Sequence, residues 1–81
     1  MREWAVAMGI VEKVQREVER LGGLTVDAVH VYVGQLVGVV PDTLRRSFRL
    51  ATEHTALAGS ELVIESGSGR DLIVTALEMH S

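Results

Sequence analysis

The fold is decided by residues 1–21, MREWAVAMGIVEKVQREVERL, which have the pattern of one long amphipathic helix. The Gly22-Gly23 pair ends this helix, because glycine takes the left-handed conformation that closes a helix without steric cost. No other stretch carries a comparable apolar stripe, so we expect the remaining elements to pack against it. Apolar residues recur at steps of three and four and so share one helix face: Trp4, Ala7, Met8, Val11, Val14, Val18 and Leu21.

The composition is that of one small domain of mixed charge. The chain has 81 residues, a formal net charge of -3 and no cysteine. Acidic and basic residues are interspersed and aromatic side chains are few, which argues against nucleic-acid binding. No apolar run approaches the ~18 residues of a membrane span, and the first residues lack the pattern of a secretory signal. We therefore expect a soluble, cytoplasmic protein that does not bind membranes.

The patterns after the first helix predict the order α-β-α-β-β. Alternating β-branched residues predict a strand at 24–33, with Val29, Val31 and Val33 on its inner face. Proline at the start of 41–53 predicts a second helix. Two further β-prone runs, 60–65 and 71–79, predict the last two strands, and the glycine-containing segment 34–38 is expected to stay extended with a bulge or bend.

The short glycine-rich turn at 66–70 predicts that the last two strands form an antiparallel hairpin. The fold class is then α+β, a two-layer sandwich with both helices on one face of a three-stranded sheet.

The sequence offers no catalytic arrangement. The serines lie in turns or at the end of the chain without a histidine and acid beside them, and no acid pair is placed by an apolar pocket. The Gly67-Ser68-Gly69 segment is too short for a phosphate-binding loop and precedes a strand. We therefore expect no enzyme activity.

The exposed histidines and arginines have structural interpretations. His30 is expected on a sheet face, His54 as a cap at the end of the second helix and His80 near a frayed terminus. Metal binding is the alternative for His30 and His54, but no two of the three histidines have the spacing of metal ligands on one helix. A cluster on the second helix is expected to be solvated, with a patch for an acidic partner as the alternative: Arg45, Arg46 and Arg49.

Five segments, taken together, carry a family pattern. They are MxEWAVA followed by IV (1–11), VxVxVGQL (29–36), VxPDxLxxxF (39–48), GSELxI (59–64) and GRDLxVxxxE (69–78). In this order they resemble the hydrogenase nickel-incorporation proteins called HypA or HybF, over nearly the whole chain. The resemblance implies that residues 1–81 form one nickel-binding domain of a metallochaperone for [NiFe]-hydrogenase maturation.

The resemblance assigns Met1 and Glu3 to the nickel site. In that family the metal is held by the terminal amine, nearby backbone nitrogens and the imidazole of a histidine in second position. This chain has Arg2 there, and a guanidinium stays protonated and has no lone pair to donate. Nickel binding is therefore expected to be weak.

The resemblance also implies a zinc module and two partners. Family members carry two Cys-x-x-Cys pairs between the last two strands, where this chain has only the turn 66–70, so no zinc is expected. The implied partners are the GTPase HypB and the hydrogenase large subunit, contacted through the first helix at Arg2, Glu3 and Arg16.

A second hypothesis is a metal-free interaction or assembly module with the same fold. It rests on Arg2, on the missing zinc module and on the free edges of a three-stranded sheet, which can accept another strand. A homodimer formed by strand exchange through the short linker is one form of this hypothesis.

Overall fold

The computed structural model describes residues 2–81 and contains two helices over a three-stranded sheet. The helices are α1 (Arg2–Leu21) and α2 (Pro41–Thr52), and the strands are β1 (Thr25–Gly34), β2 (Glu61–Gly67) and β3 (Leu72–His80). The core joins residues of both helices to one face of the sheet, so the predicted α+β two-layer fold is confirmed. No helix formed by residues 2–81 is long and apolar enough to cross a membrane.

β1 is the central strand of the sheet. The strand order is β2-β1-β3, with β2 parallel and β3 antiparallel to β1. A parallel pair needs a crossover connection, and α2 provides it between β1 and β2. The predicted inner face of β1 is confirmed, because Val29, Val31 and Val33 are all buried against the helices.

The predicted stripe of α1 is correct in its middle and wrong at its ends. Ala7, Val11 and Val14 are buried, as expected. Trp4 and Leu21 are 41% and 44% exposed, because the ends of α1 extend past the core that α2 and β1 form with its middle turns. Three and four-residue spacing identifies a face of a helix but not how much of its length is covered.

The segment after β1 is also different from the prediction. Residues 34–38 were expected to stay extended, but Gln35–Val37 form a 3-10 turn directly after the strand. Gly38 ends this turn in the left-handed conformation, with a φ of 76°. The turn redirects the chain toward the start of α2.

The predicted hairpin of the last two strands is wrong. β2 and β3 lie on opposite edges of the sheet, and residues 68–71 cross the end of β1 between them. The backbone N–H groups of Gly34 and Leu36 donate to the carbonyls of Asp71 and Gly69, at 2.8 and 2.9 Å. A short glycine-rich turn fits a hairpin and this crossing equally well, but the crossing lets the most buried strand, β1, form ladders on both edges.

Gly34 is where the crossing comes closest to β1. A Cβ atom at this position would collide with the carbonyl group of Gly69. The neighbouring hydroxyl of Tyr32 donates to the carbonyl of Ser68 at 2.5 Å, which holds the same connection from the outer face of the sheet. The absence of a side chain at Gly34 is therefore a requirement of the topology.

We expect Gly34→Ala to lower the free energy of unfolding by about 2 kcal/mol, since the added methyl group must displace the backbone of the 68–71 connection. Gly9→Ala is the matched control: Gly9 lies in α1 with open space around it, so the same change should raise stability by about 0.5–1 kcal/mol. Urea unfolding followed by circular dichroism measures both. Equal effects of the two substitutions would contradict the close crossing.

Candidate functional site

Glu3, one of the two residues that the resemblance assigns to a metal site, lies at the start of α1. Arg2 and Glu3 form its first turn. Met1 lies outside the described residues, so the contribution of its amine stays a prediction. We call the group formed by Arg2, Glu3, Gly38 and Val40 the tip contact.

Glu3 joins the starts of the two helices. The backbone N–H of Val40 donates to Oε2 of Glu3 at 3.0 Å. Val40 immediately precedes Pro41, the first residue of α2, and its carbonyl accepts the N–H of Leu44 in the first bond of that helix. The Glu3 carboxylate therefore lies at the N-terminal ends of both helices, where the helix dipoles favour a negative charge.

Arg2 lies beside the turn that leads into α2. A Cβ atom built on Gly38 would be 2.7 Å from Nη1 of Arg2, so the guanidinium occupies the space that a side chain would need there. Because Gly38 has no side chain, the guanidinium of Arg2 has room to lie along this turn. Arg2 itself stays exposed to solvent.

The tip contact lowers the pKa of the Glu3 carboxyl below its ordinary value of 4.5. The main cause is the hydrogen bond from the Val40 N–H, followed by that from its own backbone N–H, with a smaller contribution from the positive charge of Arg2. Glu3 is therefore an anion at neutral pH. Sequence reasoning missed Val40 as its partner, because a backbone donor leaves no residue signature.

The side chains around the tip contact do not form a metal cluster. Within residues 2–81, no three His, Cys, Asp or Glu side chains are placed to hold a metal ion. Glu3 offers oxygen donors, Asp42 at the start of α2 is bound to Arg45 at 2.8 Å, and Arg2 offers no lone pair.

Arg16 does not belong to the tip contact. It is exposed on α1, and the 14 residues that separate it from Arg2 correspond to about 21 Å along a helix. The surface proposed for partner contact therefore extends along most of α1 and is not a single local cluster. It runs from Arg2 and Glu3 to Arg16.

Two histidines form pairs that connect β1 to β3. His30 is half-buried on the outer face of the sheet, as expected, with Nε2 at 2.5 Å from Oε2 of Glu78. His80 was expected near a frayed terminus, but it ends β3 with Nδ1 at 2.8 Å from Oδ2 of Asp27. Asp27 is the extra residue of a β-bulge in β1, which the sequence did not reveal.

The remaining candidates lie around α2. His54 follows the helix end, as expected, and has a φ of 64°, a left-handed conformation that is uncommon outside glycine. Three arginines are exposed on the outer side of α2, which agrees with the prediction that they are solvated: Arg45, Arg46 and Arg49.

Comparison with known proteins gives one family. The family model described as "Hydrogenase/urease nickel incorporation, metallochaperone, hypA" matches residues 1–78. Hydrogenase maturation factor HypA of Streptomyces avermitilis is 41% identical over 71 residues, which cover 86% of this chain and 54% of that protein. The protein of the same name from Chloroflexus aurantiacus is 45% identical over 65 residues, covering 80% of this chain and 57% of that protein. The chain thus spans a little over half the length of these curated relatives.

We expect Glu3→Gln to lower the melting temperature of the chain at neutral pH. We also expect the melting temperature of this variant to change less with pH than that of the unmodified chain. Because the pKa of Glu3 is lower in the folded than in the unfolded chain, its ionised form stabilises the fold above pH 4.5. This contribution disappears as the pH falls through the folded value. Melting temperatures of both proteins should therefore differ most at neutral pH and converge in acid.

The control for this prediction is Glu12→Gln, which removes an exposed acid from the middle of α1. It should leave the pH dependence close to that of the unmodified chain. Melting curves of Glu3→Gln that run parallel to those of the unmodified chain at every pH would contradict the role of the Val40 hydrogen bond.

Proposed function

We propose, since this chain belongs to the HypA family of hydrogenase and urease nickel-incorporation metallochaperones, that it is the nickel-handling domain of such a protein for [NiFe]-hydrogenase maturation. Its cargo is Ni(II), which is bound and passed on rather than kept as a cofactor. The observation that supports this proposal is the tip contact, in which Glu3, the described residue of the predicted nickel site, is bonded to the start of α2.

The proposed donors are few. The amine of Met1 and nearby backbone nitrogens would supply nitrogen, and the carboxylate of Glu3 would supply oxygen. Nitrogen-rich, square-planar or tetragonal arrangements suit Ni(II). Arg2 adds a permanent positive charge and no donor at the position where the family has histidine. The affinity of this chain for nickel is therefore expected to be low.

We expect Arg2→His to strengthen nickel binding by at least about tenfold, because the change removes a cationic group and adds an imidazole donor. Calorimetric titration of the untagged chain with NiCl2 measures this effect. Arg2→Gln is the matched control, since it removes the charge without adding a ligand, and Arg16→His adds an imidazole to the same helix about 21 Å away.

The three variants separate the possible reasons for a gain in affinity. Tight binding by Arg2→His alone supports a nickel site at the tip that lacks its imidazole. Equal gains in Arg2→His and Arg2→Gln would assign the effect to charge. No binding by any variant would exclude nickel handling by these 81 residues alone.

The domain and its partners follow from the same proposal. Residues 1–81 would form a single nickel-binding domain in which the short connection at 66–70 stands where the family has its zinc module, and without cysteine no Cys-based zinc site can form. The proposed partners are a HypB-type GTPase and the hydrogenase large subunit. The proposed contact surface runs along α1 from Arg2 and Glu3 to Arg16.

A metal-free interaction module is the second candidate function, and the position of Arg2 favours it. Its positive charge contributes to lowering the pKa of the Glu3 carboxyl, after the larger contribution of the Val40 hydrogen bond, so the ionised carboxylate is stabilised by groups of the chain itself. Under this proposal the same α1 surface holds a partner, and Arg2→His would weaken the partner complex while the unmodified chain binds no nickel.

A further inference from the structure

An apolar groove runs along the helix side of β3, beside α1. It has two adjoining parts of about 510 and 270 Å³, and Lys13 and Val74 line both of them. The groove exists because β3 is an edge strand whose inner row is only half-buried under the helices. Its apolar walls come from α1 and β3: Val6, Ile10, Val14, Leu72, Val74 and Leu77.

Gly9 keeps the larger part of this groove open. It lines that part together with Val6 and Lys13 of α1, and a Cβ atom built on Gly9 would have open space around it. Val37 of the 3-10 turn lines the same part. Pockets for small molecules have volumes of about 300–1,000 Å³, so the larger part alone is wide enough for such a ligand.

The charges along the groove are segregated. The larger part is lined by two cations, Lys13 and Arg70, and by no acid of the described residues. Within residues 2–81, neither cation forms an ion pair with an acidic side chain. Glu17 lines the smaller part, where its carboxylate accepts from Nε of Arg20 at 3.1 Å. The groove is therefore positive at one end, although the chain has a net charge of -3.

We propose that this groove binds a single-chain amphipathic carboxylate of the fatty-acid type, with its head group at Arg70 and its alkyl chain along β3. The apolar walls bury the chain, and burial of methylene groups supplies most of the affinity. The two cations select the charge of the head group. No residue of the tip contact takes part, so this site does not depend on nickel binding.

Charge and length determine how the ligand lies. A guanidinium binds a carboxylate through two parallel hydrogen bonds, so Arg70 is the main partner of the head group. Glu17 opposes the reverse orientation, because it would place two carboxylates at the same end of the groove. The apolar stem of Lys13 covers the alkyl chain where the two parts join. The backbone from Leu72 to Leu77 spans about 17 Å, close to the extended length of dodecanoate.

The β-bulge of β3 favours an alkyl chain over a peptide strand as the occupant. Thr75 is an extra residue opposite β1 and lies next to Val74, where the two parts of the groove join. A bulge interrupts the regular row of backbone groups that an added strand must pair with. An alkyl chain needs no hydrogen bonds, so it crosses this point without loss.

The first test compares ligands on the unmodified chain. Sodium dodecanoate, titrated below its micelle-forming concentration, should shift the backbone amide resonances of the groove, from Val37 at one end to Leu77 at the other. We expect octanoate to bind at least about tenfold more weakly, because it buries fewer methylene groups. Dodecyltrimethylammonium should bind at least about fivefold more weakly than dodecanoate. The negative charge of the whole chain would favour that cation, so this preference for the carboxylate must come from the groove.

The second test uses two pairs of variants and dodecanoate as the probe. Arg70→Gln should weaken binding by about two- to fivefold, as expected for an exposed ion pair, whereas Arg46→Gln removes the same charge from the outer side of α2 and should change nothing. Gly9→Phe fills the groove and should weaken binding at least about tenfold. Ala5→Phe adds the same ring to an exposed position of α1 outside the groove and should leave the affinity unchanged. Circular dichroism checks that all four variants fold.

Three results would overturn the proposal. The first is the absence of resonance shifts until micelles form, which would mean that the chain binds only an aggregate of the amphiphile. The second is equal affinity for the carboxylate and the quaternary ammonium, or equal binding by Gly9→Phe and Ala5→Phe, since either would place the ligand outside the positive groove. The third is a groove that ignores dodecanoate but binds a synthetic peptide of alternating leucine and glutamate, which would assign it to a protein segment.

Discussion

Burial of β1 is the constraint on which the other elements depend. This strand has ladders on both edges and its inner row, Val29, Val31 and Val33, is covered by the helices. A parallel partner on one edge requires a crossover, so α2 must lie between β1 and β2 in the chain. An antiparallel partner on the other edge requires residues 68–71 to pass over the strand end. The topology thus covers both edges and the inner face of β1 with the two helices and two strands of a short chain.

The sequence was sufficient for several features that depend on local periodicity, although not for how far the apolar face of α1 is covered. The bounds of α2, the inner face of β1 and the half-polar character of α1 follow from patterns with periods of 3.6 and 2. The pairing of strands does not, because β2 and β3 present the same alternating signal whether they neighbour each other or flank β1. The sequence does not reveal the bulges at Asp27 and Thr75 either, because each bulge only adds one residue of an ordinary type to a strand.

The tip contact was predictable only in part, for a related reason. Glu3 was assigned to a metal site only through the resemblance to a known family, and Arg2 was recognised as a poor ligand from its chemistry. The link from Glu3 to Val40 joins a side chain to a backbone group 37 residues away, and no residue type encodes it. A long-range bond of this kind appears only when the 3-10 turn after β1 has placed the start of α2 beside the start of α1.

The electrostatics of the tip contact are balanced without a metal ion. Two helix N-termini and the guanidinium of Arg2 provide positive potential around a single carboxylate, Glu3. A cation entering this site would have to overcome that potential, although a carboxylate has enough lone pairs to keep the Val40 bond while binding an ion. Replacing the guanidinium by neutral imidazole would remove one source of repulsion and add a donor in the same step. The second residue therefore adds a positive charge at the start of α1, while Glu3 links α1 to the start of α2.

The short connection between β2 and β3 explains how one fold can accommodate different lengths of chain at this point. The end of β2 and the start of β3 both flank the end of β1, two strand spacings or about 10 Å apart. Four residues are enough to cross that distance, and they do so by hydrogen bonding to the backbone at Gly34 and Leu36. A longer insertion, such as the zinc module that the family resemblance implies, could leave from and return to the same two points without moving any strand. The ladders that hold the sheet together lie on β1, and the 68–71 connection adds its own hydrogen bonds to them.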